Sequence, residues 1–306
     1  MKITALAGGV GGAKLLMGLQ RVLGPEELTA VVNTGDDADI YGVHVSPDVD
    51  IVTYWLAGIA DFERGWGIVE DTFEVIGALE TLGAESWFGL GDRDFATCLH
   101  RTGRLRAGAT LTAVTDEIRR HLDVPTRILP MSDEEVRTKV VTDDGRTLEF
   151  QEYFVRERTE PEVVEVRFAG IADAKPSPGV IEAIDEADRV VVCPSNPIVS
   201  IGPIVSLPGV RDALRSHPLV IAITPIVRGA ALKGPADRLL RSLGYEPSAS
   251  AVARLYADFA DVYVVDSSDE PEVEPVEGLG ISVAMLDTVM ADHDASERLA
   301  RALLDL

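Results

Sequence analysis

The sequence has 306 residues, 46% of them hydrophobic, which is enough for one large domain or for one domain with an insertion. Its 51 acidic and 28 basic residues give a net charge of −23, and a surface this acidic argues against nucleic acids and anionic membranes as partners. No apolar run reaches the roughly 18 residues of a membrane span, and the first residues lack the basic and apolar stretches of a secretory signal.

Cysteine and lysine usage indicate the setting of the protein. Cys98 and Cys193 are far apart in apolar surroundings, without metal-ligand or disulfide spacing, so we expect buried thiols and a cytoplasmic location. Only five of the 28 basic residues are lysine. Many carboxylates and few lysines favour a halophilic source, where salt screens the self-repulsion. The alternative is an ordinary acidic protein from a GC-rich genome.

The first predicted unit is a strand, a glycine-rich loop and a helix. Lys2–Ala7 is typical of a buried strand and Leu15–Leu23 of a helix. Glycines between them let the backbone approach a phosphate, and the N–H groups at the start of a helix hold the anion. We therefore expect nucleotide or phosphate contacts from Gly8, Gly9, Gly11, Gly12 and Lys14.

This loop matches neither standard phosphate-binding pattern in full. The dinucleotide fingerprint needs a glycine where Lys14 stands, and the Walker pattern fails at Ala13 and Leu15. Without Ser or Thr after the lysine, the usual magnesium ligand of a phosphate-cleaving loop is missing. The alternative is a tight strand-to-helix turn whose glycines serve packing alone.

Acidic residues follow the second predicted strand. Asp36 and Asp37 come directly after Leu28–Asn33, and Asp48 and Asp50 lie a short distance further on. Paired carboxylates suit Mg²⁺ held together with substrate phosphates, and one of them can take a proton from an attacking hydroxyl. Because Asp is also common in helix caps and turns, a purely structural role is the alternative for any single one.

The next region, Ser46–His121, reads as mostly helical, with a compact aromatic and charged cluster at Trp87–Asp94. Trp87 and Phe88 can stack on a flat ring. Arg93 can bind a phosphate or carboxylate through two hydrogen bonds. The alternative is a junction between helices with an Asp–Arg pair on the surface.

The pattern changes at 126–170. Thr138–Thr142 and Thr147–Tyr153 alternate between apolar and polar residues and are joined by Asp143-Asp144-Gly145, a strong hairpin turn signal. This region predicts a small α+β subdomain inserted into a core formed by 1–125 and 171–306.

Short apolar runs rich in β-branched residues then recur between helical stretches: Arg189–Cys193, Leu219–Ile223, Val262–Val265 and Ile281–Leu286. Continuous apolar strands indicate a parallel sheet that is covered on both faces. We therefore expect an α/β fold with a doubly wound, mostly parallel, Rossmann-like sheet and helices on both faces. The acidic stretch Asp269–Glu277 reads as an exposed loop.

Two strand ends in this half carry polar residues. Pro194–Pro203 is rich in proline, which fixes the chain around Ser195 and Asn196, so these two side chains are candidates to donate to phosphates. Arg228 and Lys233 follow a later strand as a candidate phosphate clamp. A rigid turn without a ligand is the alternative for the first segment.

Other classes of enzyme lack their signatures. The five histidines show no H-E-x-x-H spacing and the cysteines no C-x-x-C spacing, which argues against zinc hydrolysis. No G-x-S-x-G nucleophile elbow is present. The absence of the third glycine from the loop argues against a nicotinamide dinucleotide as the ligand.

Taken in order, these segments resemble the 2-phospho-L-lactate transferase family of coenzyme F-420 biosynthesis. The resemblance lies in AGGVGGAKLL at 7–16, VVNTGDD at 31–37, SPDVD at 46–50, GWGIVEDTF at 65–73, LGDRDFAT at 90–97, ILPMSDE at 128–134, FQEYFV at 150–155 and PSNPIVSIGPIVSLPG at 194–209. The last of these is long and highly specific, and together they span nearly the whole chain.

The resemblance implies a transfer reaction. The terminal ribityl hydroxyl of the deazaflavin 7,8-didemethyl-8-hydroxy-5-deazariboflavin attacks the acyl-side phosphorus of a guanosine diphosphate adduct, and GMP leaves. The acyl group is 2-phospholactate, or phosphoenolpyruvate in some members, and this sequence leaves the choice open. The resemblance also implies Mg²⁺ as cofactor and a homodimer as the assembly.

By match to the family motifs, Asp50 and Arg93 would contact the deazaflavin, with Trp87 available to stack on its ring. The glycine loop would hold the guanosine nucleotide together with Ser195 and Asn196. Asp36, Asp37 and Asp50 are the candidates for metal ligand and catalytic base, and which of them does which stays open. Relatives often carry Glu where this chain has the shorter Asp36.

Two alternatives remain. UDP-sugar-binding regulatory proteins of the gluconeogenesis-factor type share the sheet and the glycine loop, but the LGDRD and SPDVD segments favour the transferase. A kinase-like nucleotide hydrolase would need a Walker serine or threonine, and Leu15 stands at that position.

Overall fold

The computed structural model describes residues 1–306, and its centre is a seven-stranded sheet in which all neighbouring strands run parallel. The strands are β1 (Ile3–Ala7), β2 (Leu28–Val32), β3 (Ala38–Ile40), β4 (Val43–Val45), β5 (Arg127–Pro130), β6 (Arg137–Thr142), β7 (Thr147–Glu149), β8 (Val163–Ala169), β9 (Arg189–Val192), β10 (Val220–Ile223), β11 (Ile226–Val227), β12 (Ala230–Ala231), β13 (Val262–Asp266) and β14 (Ser282–Leu286).

The helices are α1 (Gly9–Val22), α2 (Pro47–Leu56), α3 (Glu74–Thr81), α4 (Asp92–Arg106), α5 (Leu111–His121), α6 (Val180–Asp185), α7 (Gly202–Ser206), α8 (Val210–Ser216), α9 (Ala236–Ser242), α10 (Ala249–Tyr256), α11 (Val273–Glu277) and α12 (His293–Leu304). Two π-helical turns lie at Glu152–Arg156 and Pro197–Ile201, and a 3-10 turn lies at Glu270–Glu272. None of the helices combines the length and the apolar character needed to cross a lipid bilayer.

The central sheet is covered on both faces because apolar residues predominate in its strands. Every residue of β1 and of β10 is buried. Along β1 the side chains alternate: Leu6 packs in the core shared with α6, α8 and α10, whereas Ala5 and Ala7 pack in the core shared with α1, α2 and α12. The expected doubly wound α/β sheet with helices on both faces is confirmed.

The order of the strands determines where a ligand can bind. The sheet runs β14-β13-β10-β9-β1-β2-β5, so the chain moves outward in one direction from β1 and later in the other direction from β9. In a doubly wound sheet, the loops that diverge at such a reversal leave a crevice at the carboxyl ends of the strands. Leu6 pairs with Val192, which brings the segments after β1 and β9 out of the sheet side by side.

A separate antiparallel sheet, in the order β7-β6-β8, is formed by the region predicted as an insertion. Its first boundary differs from the prediction of 126–170, because Arg127–Pro130 pairs with β2 as the edge strand of the central sheet. The small sheet joins the loop after β2, where the Thr138 N–H donates to the carbonyl oxygen of Gly35 at 2.7 Å. That this region forms a subdomain of its own stays a prediction.

Two other elements differ from what the sequence suggests. Strands β3 and β4 pair as a short antiparallel hairpin that has no strong local signal. The acidic stretch Asp269–Glu277, expected as an exposed loop, contains the 3-10 turn and α11. Its helical form is explained by Val276, which is fully buried in the main core and anchors the segment.

Candidate active site

The glycine loop and the turn after β9 meet at the reversal point of the sheet. The Gly8 N–H donates to Ser195 Oγ at 3.1 Å. A Cβ at Gly11 would overlap the carbonyl oxygen of Pro194, and one at Gly12 would lie 2.7 Å from Ser195 Oγ. The glycines are therefore needed for close packing of the two loops, whatever else they bind.

A cavity of about 690 Å³ opens where these loops meet. Its size is within the range of small-molecule and cofactor sites. Most residues predicted from the sequence line it: Gly8, Gly9, Gly11, Lys14, Asp36, Asp50, Ser195 and Asn196. Lys233 of the predicted phosphate clamp also lines it. The remaining predicted residues lie outside its lining: Gly12, Asp37, Trp87, Arg93 and Arg228.

The first amides of the glycine loop are already bonded within the protein. Gly8 uses its N–H in the contact above, and the Gly9 N–H donates to Asp48 Oδ1 at 2.8 Å. Helix α1 begins at Gly9, so the amides of Val10 and Gly11 fall in its first turn, where N–H groups have no partner within the helix. Among the amides of the glycine loop, these two are the donors that an anion in the cavity can reach.

Asp48, in the first turn of α2, connects the glycine loop to the end of β2. Besides accepting from Gly9, it accepts a hydrogen bond from Asn33 Nδ2 to Oδ2 at 2.9 Å. Burial raises the pKa of the Asp48 carboxyl to about 6, against the lowering effect of these hydrogen bonds. A carboxyl with such a pKa can exchange a proton near neutral pH.

Asp36 lines the cavity as a residue that is only 5% exposed, and its carboxylate Oδ1 has no hydrogen-bond partner. Burial, followed by the charge of Asp48, raises the pKa of Asp36 well above its usual range. Two buried carboxyl groups that disfavour each other's ionisation form a site that a hard cation would stabilise.

Asp37 is oriented differently from its neighbour. Its Oδ1 accepts from Ser46 Oγ at 2.7 Å, and its Oδ2 lies 2.9 Å from His44 Nε2. Both oxygens thus brace the β3–β4 hairpin against the start of α2. The metal-binding and catalytic roles expected for Asp37 stay predictions, and the geometry favours Asp36 for the metal.

Asp50 is held by an arginine that the sequence did not single out. Both carboxylate oxygens accept from the guanidinium of Arg101, with Nη1 at 3.0 Å from Oδ2 and Nη2 donating to Oδ1. Arg101 is 1% exposed. Burial raises the pKa of Asp50 and the neighbouring guanidinium limits the rise, so the two form a charged pair. The roles predicted for Asp50 as metal ligand, base and deazaflavin contact remain untested, and this fixed geometry suits orientation of a substrate.

Asp94 adds another buried carboxyl to the cavity wall. The Tyr54 hydroxyl donates to its Oδ1 at 2.8 Å. Burial, followed by the charge of Asp50, raises the pKa of Asp94 to about 7. Ligand atoms of Asp50, Asp94 and Cys98 lie within 4.8 Å of one another. Because Arg101 already balances Asp50 and burial raises the pKa of the Cys98 thiol, this cluster is a poor metal site.

Asn196 presents an unpaired donor. Its Oδ1 accepts from the backbone N–H groups of Ile198 and Val199 at 3.0 and 3.3 Å, which fixes the side chain. Its Nδ2 is buried and has no acceptor. Leaving such a group without a partner is costly, so an acceptor from a bound ligand, such as a phosphate oxygen, would complete the arrangement.

Aromatic side chains line the cavity from two sides. Trp66 and Phe154 are 40% and 39% exposed, and both line the cavity. Phe154 stacks on Phe150 with ring centroids 5.7 Å apart and planes 7° from parallel. Phe88 also lines the cavity, whereas Trp87, whose ring contacts Phe88 edge-on with centroids 5.7 Å apart, does not. The stacking role of Trp87 stays a prediction, and Trp66 and Phe154 are better placed for it.

Arg93 lies on the first turn of α4, outside the cavity lining. Its Nη1 donates to the carbonyl oxygen of Val69 at 3.1 Å, and its backbone N–H donates to Asp71 Oδ1 at 3.0 Å. The guanidinium is exposed and forms no ion pair, so contact with a deazaflavin stays a prediction.

Some of the site residues were missed by the sequence analysis although a signal existed. Asp94, Cys98 and Arg101 are spaced four and three residues apart, which puts them on one face of α4. Charged residues on the buried face of a helix indicate an internal ion pair. Trp66 and Phe154 lie within family-like motifs, but no local pattern predicts that their rings turn into the cavity.

Known proteins resemble this chain over its whole length. A model of the family described as 2-phospho-L-lactate transferase CofD matches residues 3–300. A phosphoenolpyruvate transferase from Kitasatospora aureofaciens is 44% identical, covering 100% of this chain and 98% of the relative. A 2-phospho-L-lactate transferase from Methanosarcina mazei is 41% identical, covering 97% and 98%. A solved structure of a UPF0052 family member from Bacillus halodurans has a TM-score of 0.67 at 18% identity, covering 99% and 98%, and supports the fold alone.

Proposed function

This chain belongs to the 2-phospho-L-lactate transferase (CofD) family, and we propose that its cavity joins a guanosine diphosphate adduct to a deazaflavin in coenzyme F-420 biosynthesis. The terminal ribityl hydroxyl of 7,8-didemethyl-8-hydroxy-5-deazariboflavin attacks the acyl-side phosphorus of the adduct. An oxygen–phosphorus bond forms, the bond from that phosphorus to the bridging oxygen breaks, and GMP leaves. The product is the phospholactyl or enolpyruvyl-phosphoryl deazaflavin.

One observation carries this proposal. The same cavity contains a buried donor without an acceptor, Asn196 Nδ2, and a buried acceptor without a donor, Asp36 Oδ1. A diphosphate paired with a cation would supply both missing partners. Together with the free amides at the start of α1, this pattern fits a nucleotide diphosphate substrate.

We propose Mg²⁺ as the cofactor, with Asp36 as its protein ligand. The fit rests on the unpaired buried oxygen of Asp36 and on hard oxygen donors being the preference of this ion. A bound Mg²⁺ would neutralise the charge of the diphosphate as GMP departs. Leu15, at the position of the Walker hydroxyl, is apolar and fully buried in the core, so this position cannot supply the magnesium ligand.

Amides and side chains of the protein would bind the phosphates, accept the proton and orient the deazaflavin. The Val10 and Gly11 amides and Asn196 Nδ2 hold phosphate oxygens, and Asp48, with a pKa of about 6, accepts the proton of the attacking hydroxyl. Trp66 and Phe154 offer apolar faces to the deazaflavin ring. Phosphoryl transfer depends mainly on such positioning and charge neutralisation.

The identity of the acyl group is a question for experiment. Relatives named phosphoenolpyruvate transferase and 2-phospho-L-lactate transferase are 44% and 41% identical to this chain, which does not separate the two. Purified protein with Mg²⁺, the deazaflavin and each guanosine diphosphate adduct should release GMP and form a new phosphodiester with at least one of them. The faster adduct names the donor.

Two variants test the proposed roles of Asp36 and Asn196 in this assay. Asp36→Asn and Asn196→Ala should each lower kcat/KM by about 100-fold or more, since each removes a charge-assisted contact made in the transition state.

If wild-type protein releases no GMP while a UDP-sugar raises its Tm, the UDP-sugar-binding alternative replaces the transferase. That alternative is not favoured, because relatives named as transferases match nearly the whole chain at 44% and 41% identity.

We also propose a homodimer and a cytoplasmic location, which follow from the family resemblance and from the two free, buried cysteines. Light scattering after size-exclusion chromatography would test the assembly. A mass of one chain, 32.9 kDa, would contradict the homodimer.

A further inference from the structure

Two lysines line the cavity without a carboxylate partner. Lys14 Nζ donates to the carbonyl oxygen of Met290 at 2.9 Å and lies 4.9 Å from the centre of the Phe62 ring. Lys233 Nζ lies 3.3 Å from the carbonyl oxygen of Arg64 and 3.5 Å from that of Glu63. Neither forms an ion pair, although the chain has 51 acidic residues. They are two of only five lysines in the protein.

The two ammonium groups also act on each other. Burial, followed by the positive charge of Lys233, lowers the pKa of Lys14. Carbonyl oxygens and ring faces compensate only part of the cost of holding two like charges at one cavity. A negatively charged group between or beside them would remove this repulsion.

Lys233 lies over the start of α1. A Cβ placed at Gly65 would lie 3.1 Å from Lys233 Nζ and 3.3 Å from Val10, so the ammonium and the first residue after the glycine pair face the same small space. Lys14 projects from the same helix one turn beyond Gly11. An acid group attached to a phosphate at the α1 N-terminus is therefore within the region that both lysines border.

Resting on the proposed function, we propose that Lys14 and Lys233 form a carboxylate subsite for the acyl group of the donor. In the proposed site the α1 amides, Asn196 and a cation at Asp36 would hold the diphosphate, which leaves the carboxylate as the donor's remaining charge. Lactate and enolpyruvate both carry this carboxylate, so the pair selects acids over neutral esters without separating the two acids. Because a lysine ammonium can bind a phosphate as well as a carboxylate, the experiment must distinguish these two anions.

The test compares two ligands on three variants. Lys14→Met and Lys233→Met each remove one cation, and Lys175→Met removes an exposed lysine outside the cavity lining as a matched control. The ligands are the active adduct and guanosine 5′-diphosphate ethyl ester, which has the same diphosphate and no carboxylate. The adduct is followed by its KM for transfer, and the ethyl ester by its inhibition constant against the adduct.

We expect each cavity variant to raise KM for the adduct about tenfold or more, equivalent to about 1.4 kcal/mol, while the inhibition constant of the ethyl ester changes less than twofold. Lys175→Met should alter neither. Equal weakening of both ligands would overturn the carboxylate assignment, because the lysines would then hold the diphosphate. If neither the KM nor the inhibition constant changed, the lysines would not be part of the donor site. An inactive wild-type enzyme would instead refute the transferase activity itself.

Discussion

At the scale of single residues, the pairing of Asp50 with Arg101 changes what a substitution can show. Removing the carboxylate leaves a guanidinium buried without a counter-charge, which typically costs about 3–5 kcal/mol. A loss of activity in Asp50→Ala alone would therefore mix a role in the reaction with a loss of folding.

A double substitution separates these two effects. We expect Asp50→Ala to abolish transfer and lower Tm, and Asp50→Ala with Arg101→Met to recover most of the Tm while transfer stays absent. The unpaired charge is gone in the double variant, but so is the carboxylate that faces the cavity. Thermal unfolding and GMP release are measured side by side. Recovery of transfer in the double variant would show that Asp50 is only structural.

Asp94 provides a prediction about pH. Its pKa in the folded protein is raised to about 7, so the folded state holds a proton that the unfolded state has released above about pH 4. This contribution to stability is complete at low pH and is lost as the pH rises from about 4 to 7. The full span corresponds to at most about 4 kcal/mol, at roughly 1.4 kcal/mol per pKa unit.

Asp94→Asn cannot ionise and keeps an oxygen to accept from Tyr54. We therefore expect its free energy of unfolding, relative to wild type, to increase between pH 5 and pH 8 in urea titrations. Asp92→Asn, on the same helix but at a partly exposed site with a lowered pKa, should show a difference from wild type that stays constant between pH 5 and pH 8, because a lowered pKa affects stability only below about pH 4. A pH-independent difference for Asp94→Asn would mean that its carboxyl is not shifted.

The sequence could predict that carboxylates gather after β2, because strand ends of a parallel sheet share one edge. It could not predict how they divide their tasks. Asp36 and Asp37 are adjacent, yet one faces the cavity and the other bonds to Ser46 and His44. That difference depends on partners from another strand and helix, which no local pattern contains.

At the scale of elements, α1 packs against α12 through a glycine. A Cβ at Gly18 would overlap the carbonyl oxygen and carbon of Ser296 on α12. Since the obstacle is backbone, Gly18→Ala must push the two helices apart. We expect it to lower the free energy of unfolding by about 1–3 kcal/mol.

The chain offers a matched control in Gly77, on α3, where an added Cβ meets nothing within 4 Å. Gly77→Ala should stabilise the protein by about 0.5–1 kcal/mol through helix propensity alone. Urea unfolding of both variants measures the contrast. If Gly18→Ala were as stable as Gly77→Ala, the close approach of α1 and α12 would be wrong.

Elements were predictable where their own residues determine them. Strands β1, β2, β9 and β10 are short runs in which apolar residues predominate, as is typical of strands inside a covered parallel sheet. The β3–β4 hairpin is only three residues a side and depends on packing against α4 and α3. Helix α11 forms in an acidic, proline-containing stretch because one valine is drawn into the core, so tertiary contact overrides propensity.

At the scale of the whole molecule, the net charge of −23 predicts a response to salt. Repulsion among 51 acidic groups opposes the compact state, and salt at molar concentration screens it over a few ångströms. We expect Tm to rise by several degrees or more between 0.1 and 2 M KCl. A flat response would show that the carboxylates are locally compensated and would count against a halophilic source.

The binding crevice also has a consequence for how the enzyme is made. The glycine loop and the turn after β9 form two of its walls. Gly8 and Ser195, which join them, are 187 positions apart in the chain and meet only when β1 and β9 lie side by side. Contacts this distant in sequence form late, since closing a long loop costs entropy before any bonding repays it. A chain that ends before β9 therefore has a glycine loop without the turn that packs against it. We expect the site to become complete only in the last stage of folding.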